Sequence, residues 1–275
     1  EQTNTLRSNE IEWMLQHRPL VHDLGQLQRD YGADEATQIV KAYKEAGFEN
    51  LLPCLNWPGV GTRWKQFLAF AAENSALDTP KAAFVAFGNH LGRVKSFRAL
   101  ALTKEGIDTI KREDTIWPSG RLKTSKENLM QLFNEKGVKF MCYARLYIGM
   151  RLVPYDPTLS LHDDPETAVT IAGGYVQRGK VLHLFELDVP KIESCGYTVR
   201  DVQDTEREHR WFKHRGVMFD ANLERTERYA IFEIPFLKER LVSLKLLKSN
   251  KEITDFIEPF KQKMLALYKA SGEQR

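Results

Sequence analysis

LSLHDDPETAVTIAGGY, at residues 159–175, is the stretch that decides the fold prediction, because an extended segment passes through an acidic turn directly into a helix. Asp164 is a residue type that caps helices, and Pro165 suits the first helical position, where its missing N–H costs nothing. A strand and a helix joined this closely predict a chain that mixes both kinds of element.

Strand and helix patterns lie on both sides of this stretch. Short runs of β-branched and aromatic residues, bounded by turn formers, predict strands at residues 96–103, 139–153, 180–190, 228–236 and 241–248. Apolar residues at three- and four-residue spacing predict helices at residues 104–113, 125–135, 165–175 and 253–268. The same spacing recurs through the residues before the first strand, so we expect that region to be helical.

Uneven, loop-rich spacers separate the predicted strands, whereas a doubly wound parallel sheet alternates strands and helices regularly. We therefore predict an α+β protein, with a helical N-terminal region at residues 1–92 and a second region at residues 93–275 of mainly antiparallel strands with flanking helices. Neither GxGxxG nor GxxxxGKS/T occurs in the sequence, so any nucleotide would bind without those phosphate loops.

The composition excludes several classes of protein. The chain has 275 residues, of which 28% are charged and 42% hydrophobic, and 40 basic against 37 acidic residues give a net charge of +3. These values argue against a disordered chain and against a strongly basic nucleic-acid scaffold. No apolar run approaches the roughly 18 residues that span a bilayer, so we expect no membrane partner.

The spacing of cysteine and histidine residues predicts no metal site. The three cysteines include no CxxC pair, which argues against a disulfide framework and a cysteine zinc site and favours free thiols in a reducing compartment. His162, Asp163 and Asp164 belong to the turn and cap before the helix. His209 and His214 match no known ligand spacing.

Three residues carry the candidate chemistry. Arg98 follows an aromatic residue on the first predicted strand, Ser160 precedes the acidic turn, and Glu227 opens a late strand. In this order they resemble the arginine–serine–glutamate class of mono-ADP-ribosyltransferases, over residues 94–247. LSLHDDPETA resembles the family's serine motif, and VLHLFELDVP resembles the strand that follows it. The family's Ser-Thr-Ser triplet reads Ser-Leu-His here, at residues 160–162.

The resemblance implies an ADP-ribosyltransferase core that cleaves NAD as a substrate, releases nicotinamide and transfers ADP-ribose to a macromolecular acceptor, a protein or a nucleic acid. Glu227 would stabilise the oxocarbenium-like state through the ribose 2′-hydroxyl. Arg98 would grip the pyrophosphate with its planar guanidinium. Ser160 would orient the glutamate and line the pocket together with His162, while Tyr175 would stack on the nicotinamide ring. Such proteins are often bacterial toxins or effectors, acting in the cytoplasm or delivered into the cytosol of a target cell.

Several alternatives stay open at this point. Arg145 and Arg151 are rival candidates for the NAD-binding arginine. Arg225 stands two residues before Glu227, where family members that modify arginine or asparagine carry an acidic or amide residue, so the acceptor is not fixed. An NAD glycohydrolase, in which water replaces the acceptor, is a second hypothesis. A non-catalytic module that binds nucleic acid through the basic and aromatic residues 207–215 is a third.

Overall fold

A computed structural model gives the fold and describes residues 6–17, 32–45, 60–117, 158–173, 176, 178–198, 226–231 and 233–273. Its strands are β1 Arg93–Leu102, β2 Thr158–His162, β3 Val181–Pro190, β4 Ser194–Thr198, β5 Thr226–Ile231 and β6 Leu241–Leu247. They form one sheet in the order β4-β5-β2-β1-β3-β6, and every neighbouring pair runs antiparallel.

Helices lie before, between and after the strands. They are α1 Ser8–His17, α2 Ala33–Glu45, α3 Val60–Glu73, α4 Pro80–Leu91, α5 Lys104–Glu113, α6 Pro165–Gly173, α7 Leu237–Arg240 and α8 Asn250–Glu273. Two of them begin at threonine caps, since Thr79 accepts a hydrogen bond from the amide of Ala82, and Thr103 accepts one from Gly106. The α+β prediction is therefore confirmed.

Helices cover both faces of the sheet, because successive residues of a strand point to opposite sides. On one face α6 and α8 pack over a core cluster of Ala99, Ala168, Val169, Leu182, Leu184, Leu247, Ile253 and Ile257. On the other face α5 and α7 pack over Ile107, Ile116, Leu159, Leu161, Phe185, Leu187, Val189, Ile234 and Leu237. Burying a side chain of this size contributes about 1.5–3 kcal/mol, so the two layers hold the sheet from both sides.

Contacts cross the predicted boundary between residues 92 and 93. A Cβ added at Gly88 of α4 would lie 2.7 Å from Cδ1 of Leu6 and 3.3 Å from Cδ1 of Ile192. Only glycine fits this approach without displacing a neighbour. The amide of Leu6 also donates to Oδ1 of Asn89 at 2.9 Å. Leu6, just before α1, thus packs on α4, and α4 packs on the turn after β3. The two-part division itself stays a prediction.

A buried ionic cluster makes a second connection across this boundary. Glu10 of α1 accepts hydrogen bonds from Arg93 at 2.6 and 3.0 Å and from Nε of Arg240 at 3.0 Å. Nη1 of Arg240 donates to Glu193 at 3.0 Å, and Nε of Arg93 donates to Asp188 at 2.7 Å. Glu10 and Arg240 have no exposed side-chain surface. Opposite charges are therefore paired where either alone would be costly.

Most of the predicted elements that fall on described residues are confirmed, with shifted ends. The helix at 104–113 matches α5, and the strands at 96–103, 180–190 and 241–248 match β1, β3 and β6. The strand predicted at 228–236 was wrong at its end, because β5 stops at Ile231 and Ile234 makes an isolated bridge to Ile116 instead. Pro235 cannot donate to a ladder, which fits this ending. The strand at 139–153 and the helix at 125–135 lie outside the described residues.

Candidate functional site

The sheet divides between β1 and β2. Along β1 all ten residues pair with β3, whereas within the described residues a single pair, Phe97 with His162, joins β1 to β2. On the far side of β2 the pairing is continuous again, from Thr158 opposite Ile231 to His162 opposite Glu227. The strands therefore form two halves, β4-β5-β2 and β1-β3-β6. Within the described residues one register pair joins the two halves.

Three of the candidate residues lie on the adjacent strands β1, β2 and β5. Arg98 is on β1, Ser160 on β2 and Glu227 on β5. They are widely separated in sequence, and the strand order brings their backbones to the central part of the sheet. Neighbouring strands are about 4.8 Å apart, so β5 and β1 lie about 10 Å from each other across β2.

One row of residues crosses the sheet at its division. Tyr197, Glu227, His162, Phe97 and Glu186 are successive register partners on β4, β5, β2, β1 and β3. Directly opposed residues of antiparallel strands share a face, with Cβ atoms about 4.5–5.5 Å apart. Glu227 and Glu186 are therefore at positions of one row, and His162 and Phe97 stand between them.

Only one of these two carboxylates is a candidate for chemistry on a substrate. Glu186 accepts hydrogen bonds from Nζ of Lys95 at 2.9 Å and from Oγ of Ser243 at 2.7 Å. These two hydrogen bonds lower its pKa below the ordinary value and outweigh the opposing effect of burial. The carboxylate of Glu186 is therefore already bonded to Lys95 and Ser243. Glu227 stays the candidate of the row.

Burial separates the serine and the histidine from solvent. Ser160 is 5% exposed and His162 is 3% exposed. They are two residues apart on β2, so their side chains project from the same face, and the flanking Leu159 and Leu161 enter the core on the other face. After His162 the chain turns through Asp163 and Asp164 into α6.

The start of α6 follows the sequence prediction. Pro165 is the first helical residue, and the carbonyl of Asp164 accepts a hydrogen bond from the amide of Ala168 at 3.3 Å. The helix then covers β1 and β2 through Ala168 and Val169, which belong to the core cluster on that face. The predicted capped helix thus holds the end of β2, and with it His162, against the sheet.

Arg98 reaches the division from the other face. It neighbours Phe97, so by strand alternation its side chain starts on the side of Leu100, opposite to Ser160. Its Nη1 donates to the backbone carbonyl of Ser160 at 3.1 Å. The half-buried guanidinium therefore lies in the gap between β1 and β2 and connects the two halves of the sheet.

Other candidate residues fall outside the described part of the chain. They are Tyr175, the rival arginines Arg145 and Arg151, the histidines His209 and His214, and the basic stretch 207–215. Their predicted roles stay predictions. Across the described ranges no group of three or more His, Cys, Asp or Glu side chains is arranged to hold a metal ion.

Sequence reasoning missed the register of His162 and Glu227. The motifs alone favour Ser160 as the partner of the glutamate, whereas Ser160 is opposite Tyr229 and His162 is opposite Glu227. Counting along β2 and β5 gives this pairing only when one pair of the ladder is already known. No local pattern in either strand supplies that first pair.

Comparison of the chain with protein-family models, with curated proteins and with solved structures finds no match. In the described residues no helix has both the length and the apolar composition needed to span a membrane.

Proposed function

We propose that the chain is an NAD-dependent ADP-ribosyltransferase whose reaction takes place at the division between β1 and β2. The observation that carries the proposal is the location of Arg98, Ser160 and Glu227 on three adjacent strands beside a gap in the sheet. The order of these residue types along the chain is the one on which the family resemblance rests. The dinucleotide is proposed to bind along this division, where Arg98 reaches the backbone of Ser160 from the opposite face of the sheet.

Glu227 is assigned the chemical step. Breaking the bond between nicotinamide and ribose develops positive charge on the sugar, and a carboxylate held nearby stabilises that charge. The register neighbour of Glu227 on β2 is His162, which is buried, so the sheet beside that position is shielded from water. Electrostatic stabilisation is stronger where water is excluded.

Arg98 is assigned to the pyrophosphate. A guanidinium carries five N–H donors in a fixed plane, so a bond to the carbonyl of Ser160 and a grip on phosphate oxygens are compatible. The bond to Ser160 fixes the orientation of the plane before the dinucleotide arrives. This pre-organisation lowers the entropy cost of binding.

The same proposal includes an ADP-ribosyltransferase-like core, a macromolecular acceptor and action in the cytosol. These three parts rest on the same family resemblance. The acceptor is a protein or a nucleic acid, and the cytosol is that of the producing cell or of a target cell. Tyr175 is proposed to stack on the nicotinamide ring, and Ser160 and His162 to line the pocket.

The proposal is tested by incubating the protein with NAD labelled in the adenylate phosphate, together with a cell lysate. We expect labelled macromolecules with the wild-type protein and their loss with Glu227→Gln. Glu105→Gln, an exposed glutamate in the first turn of α5, is the matched control and should label as the wild type does. Protease and nuclease treatment then separates protein from nucleic-acid acceptors.

Two results would contradict the proposal in different ways. Release of nicotinamide without any labelled macromolecule would replace the transferase with the NAD glycohydrolase. Equal labelling by the wild type and by Glu227→Gln would remove Glu227 from the reaction.

A further inference from the structure

The strand β6 lies at one edge of the sheet, and part of its apolar surface is exposed. Among the described strands, β3 alone pairs with it, so its outer side offers backbone N–H and C=O groups for pairing. Val242 is 50% exposed and Leu246 is 42% exposed. They are the two large apolar side chains that the described part of the chain leaves exposed. An edge strand of this kind is a template for pairing with another chain.

The two faces of β6 differ in character. Leu244 packs against the core cluster beneath α5 and α7, and Val242 and Leu246 lie two residues to either side of it. By strand alternation these three side chains start on the same face and form an apolar row. Lys245 starts on the other face, where its Nζ lies 5.0 Å from the centre of the Phe256 ring of α8.

The sequence of β6 is self-complementary for antiparallel pairing. Opposed residues share a face, so two copies of β6 related by a two-fold axis must pair about a single residue. Pairing about Leu244 overlaps all seven residues of Leu241–Leu247 and places Val242 of each copy opposite Leu246 of the other. Pairing about Lys245 would oppose two lysines, which is destabilising. Pairing about Ser243 would leave Leu246 without an opposed residue in β6.

The polar face matches in the same register. Ser243 of one copy is then opposite Lys245 of the other. Oγ of Ser243 donates to the carboxylate of Glu186 at 2.7 Å. That carboxylate also accepts from Lys95, and these two hydrogen bonds lower its pKa, so it is ionised at neutral pH. Each copy therefore offers a negative charge beside the position of the other copy's lysine.

A bulge limits the strength of this pairing. Ser243 is opposite Glu186 and Leu241 is opposite Leu187, which leaves Val242 as an extra residue in the ladder with β3. Bulges at sheet edges twist the strand and weaken pairing with another edge. From Ser243 to Leu247 the ladder is continuous. We therefore expect a weak association that depends on concentration.

We propose that the chain forms a two-fold dimer in which two β6 strands pair antiparallel about Leu244 and join both sheets into one. The second copy is the occupant of this edge because one register sets apolar against apolar residues and lysine beside carboxylate, once on each side of the axis. The interface does not include the division between β1 and β2, so the inference is independent of the proposed NAD-cleaving function.

Sedimentation velocity of the full chain from about 1 to 100 μM tests the proposal. We expect the wild type to shift from monomer to dimer over this range. Val242→Lys and Leu246→Lys should each weaken dimerisation by about tenfold or more, because a charge is buried against an apolar partner. Ala72→Lys, at an exposed apolar position on α3, is the matched control and should dimerise as the wild type does.

A double variant tests the register itself. Val242→Glu combined with Leu246→Lys in one chain places opposite charges in both cross-strand pairs. It should dimerise at least about threefold more tightly than Leu246→Lys alone, because opposed charges of opposite sign stabilise a strand pair. No gain over the single variant would overturn the pairing about Leu244.

The remaining results each decide the proposal. A wild type that stays monomeric at the highest concentration would overturn it, and protection of the β6 amides from hydrogen exchange in that monomer would assign the edge to another segment of the same chain. A dimer that Val242→Lys and Leu246→Lys both leave unchanged would place the interface elsewhere and also overturn it. If one of these variants does not fold, as judged by its melting temperature, the other decides.

Discussion

At the scale of single residues, Arg98 has two roles, a structural one in the sheet and a proposed one in binding NAD. Its Nη1 bond to the carbonyl of Ser160 joins β1 to β2 beside the only described register pair between them. The proposed function adds a grip on pyrophosphate. Both assignments depend on a planar guanidinium with several donors, which lysine cannot reproduce.

Substitution of Arg98 separates charge from geometry. Arg98→Lys keeps the positive charge but loses the parallel N–H donors, so we expect NAD affinity to fall by about tenfold or more. Arg98→Met should weaken binding further and lower the melting temperature, because the connection to Ser160 is also lost. Titration calorimetry with NAD measures the affinity, and Arg112→Lys, an exposed arginine of α5, serves as the control. Unchanged affinity in Arg98→Lys would assign the phosphate grip elsewhere.

At the scale of elements, α1 is held to the sheet by the cluster of Glu10, Arg93 and Arg240. Burial alone would raise the pKa of Glu10, but the hydrogen bond from Arg93 and the charges of Arg240 and Arg93 outweigh it and lower that pKa below 4.5. The pKa of Arg93 is raised in return, although burial alone would lower it. The cluster therefore stays ionised at neutral pH.

Glu10→Gln should lower the free energy of unfolding by about 3–5 kcal/mol at neutral pH, because two arginines lose a buried counter-charge. A lowered folded pKa means that this stabilisation is fully present above the ordinary pKa of glutamate and is lost as the pH falls through the folded value. The difference between wild type and variant should therefore be constant from about pH 7 to about pH 5 and shrink at lower pH. Urea unfolding over this range measures it, with the exposed Glu12→Gln as the control on the same helix. A difference that does not change with acid would contradict the ionic account.

The ionic cluster also shows where sequence reasoning ends. Glu10 lies 83 residues from Arg93 and 230 from Arg240, so no local pattern connects them. By contrast, α5 was predicted at its observed ends, because its apolar residues follow helical spacing. The structure adds that Thr103 caps it. The shortest strands were harder, and β4 was not predicted, because five residues carry little periodicity.

At the scale of the whole molecule, the alternation of side chains could be predicted but the strand order could not. The mixture of helices and strands followed from the periodicity, and the antiparallel arrangement followed from the uneven, loop-rich spacers between the predicted strands. The order β4-β5-β2-β1-β3-β6 places β2 between β1 and β5, and this order depends on long-range pairing. The sequence therefore showed only the order of Arg98, Ser160 and Glu227 along the chain, and not that their strands are adjacent. It did not indicate that His162 pairs with Glu227.

The central claim is that this sheet carries an NAD-cleaving site in which Glu227 performs the chemical step. The most direct measurement is the rate of nicotinamide release from millimolar NAD, which requires no knowledge of the acceptor. We expect release by the wild type and by Glu105→Gln, and a rate at least about 100-fold lower in Glu227→Gln, because electrostatic stabilisation of the transition state is lost. No release by the wild type, or equal release by the wild type and Glu227→Gln, would contradict the account.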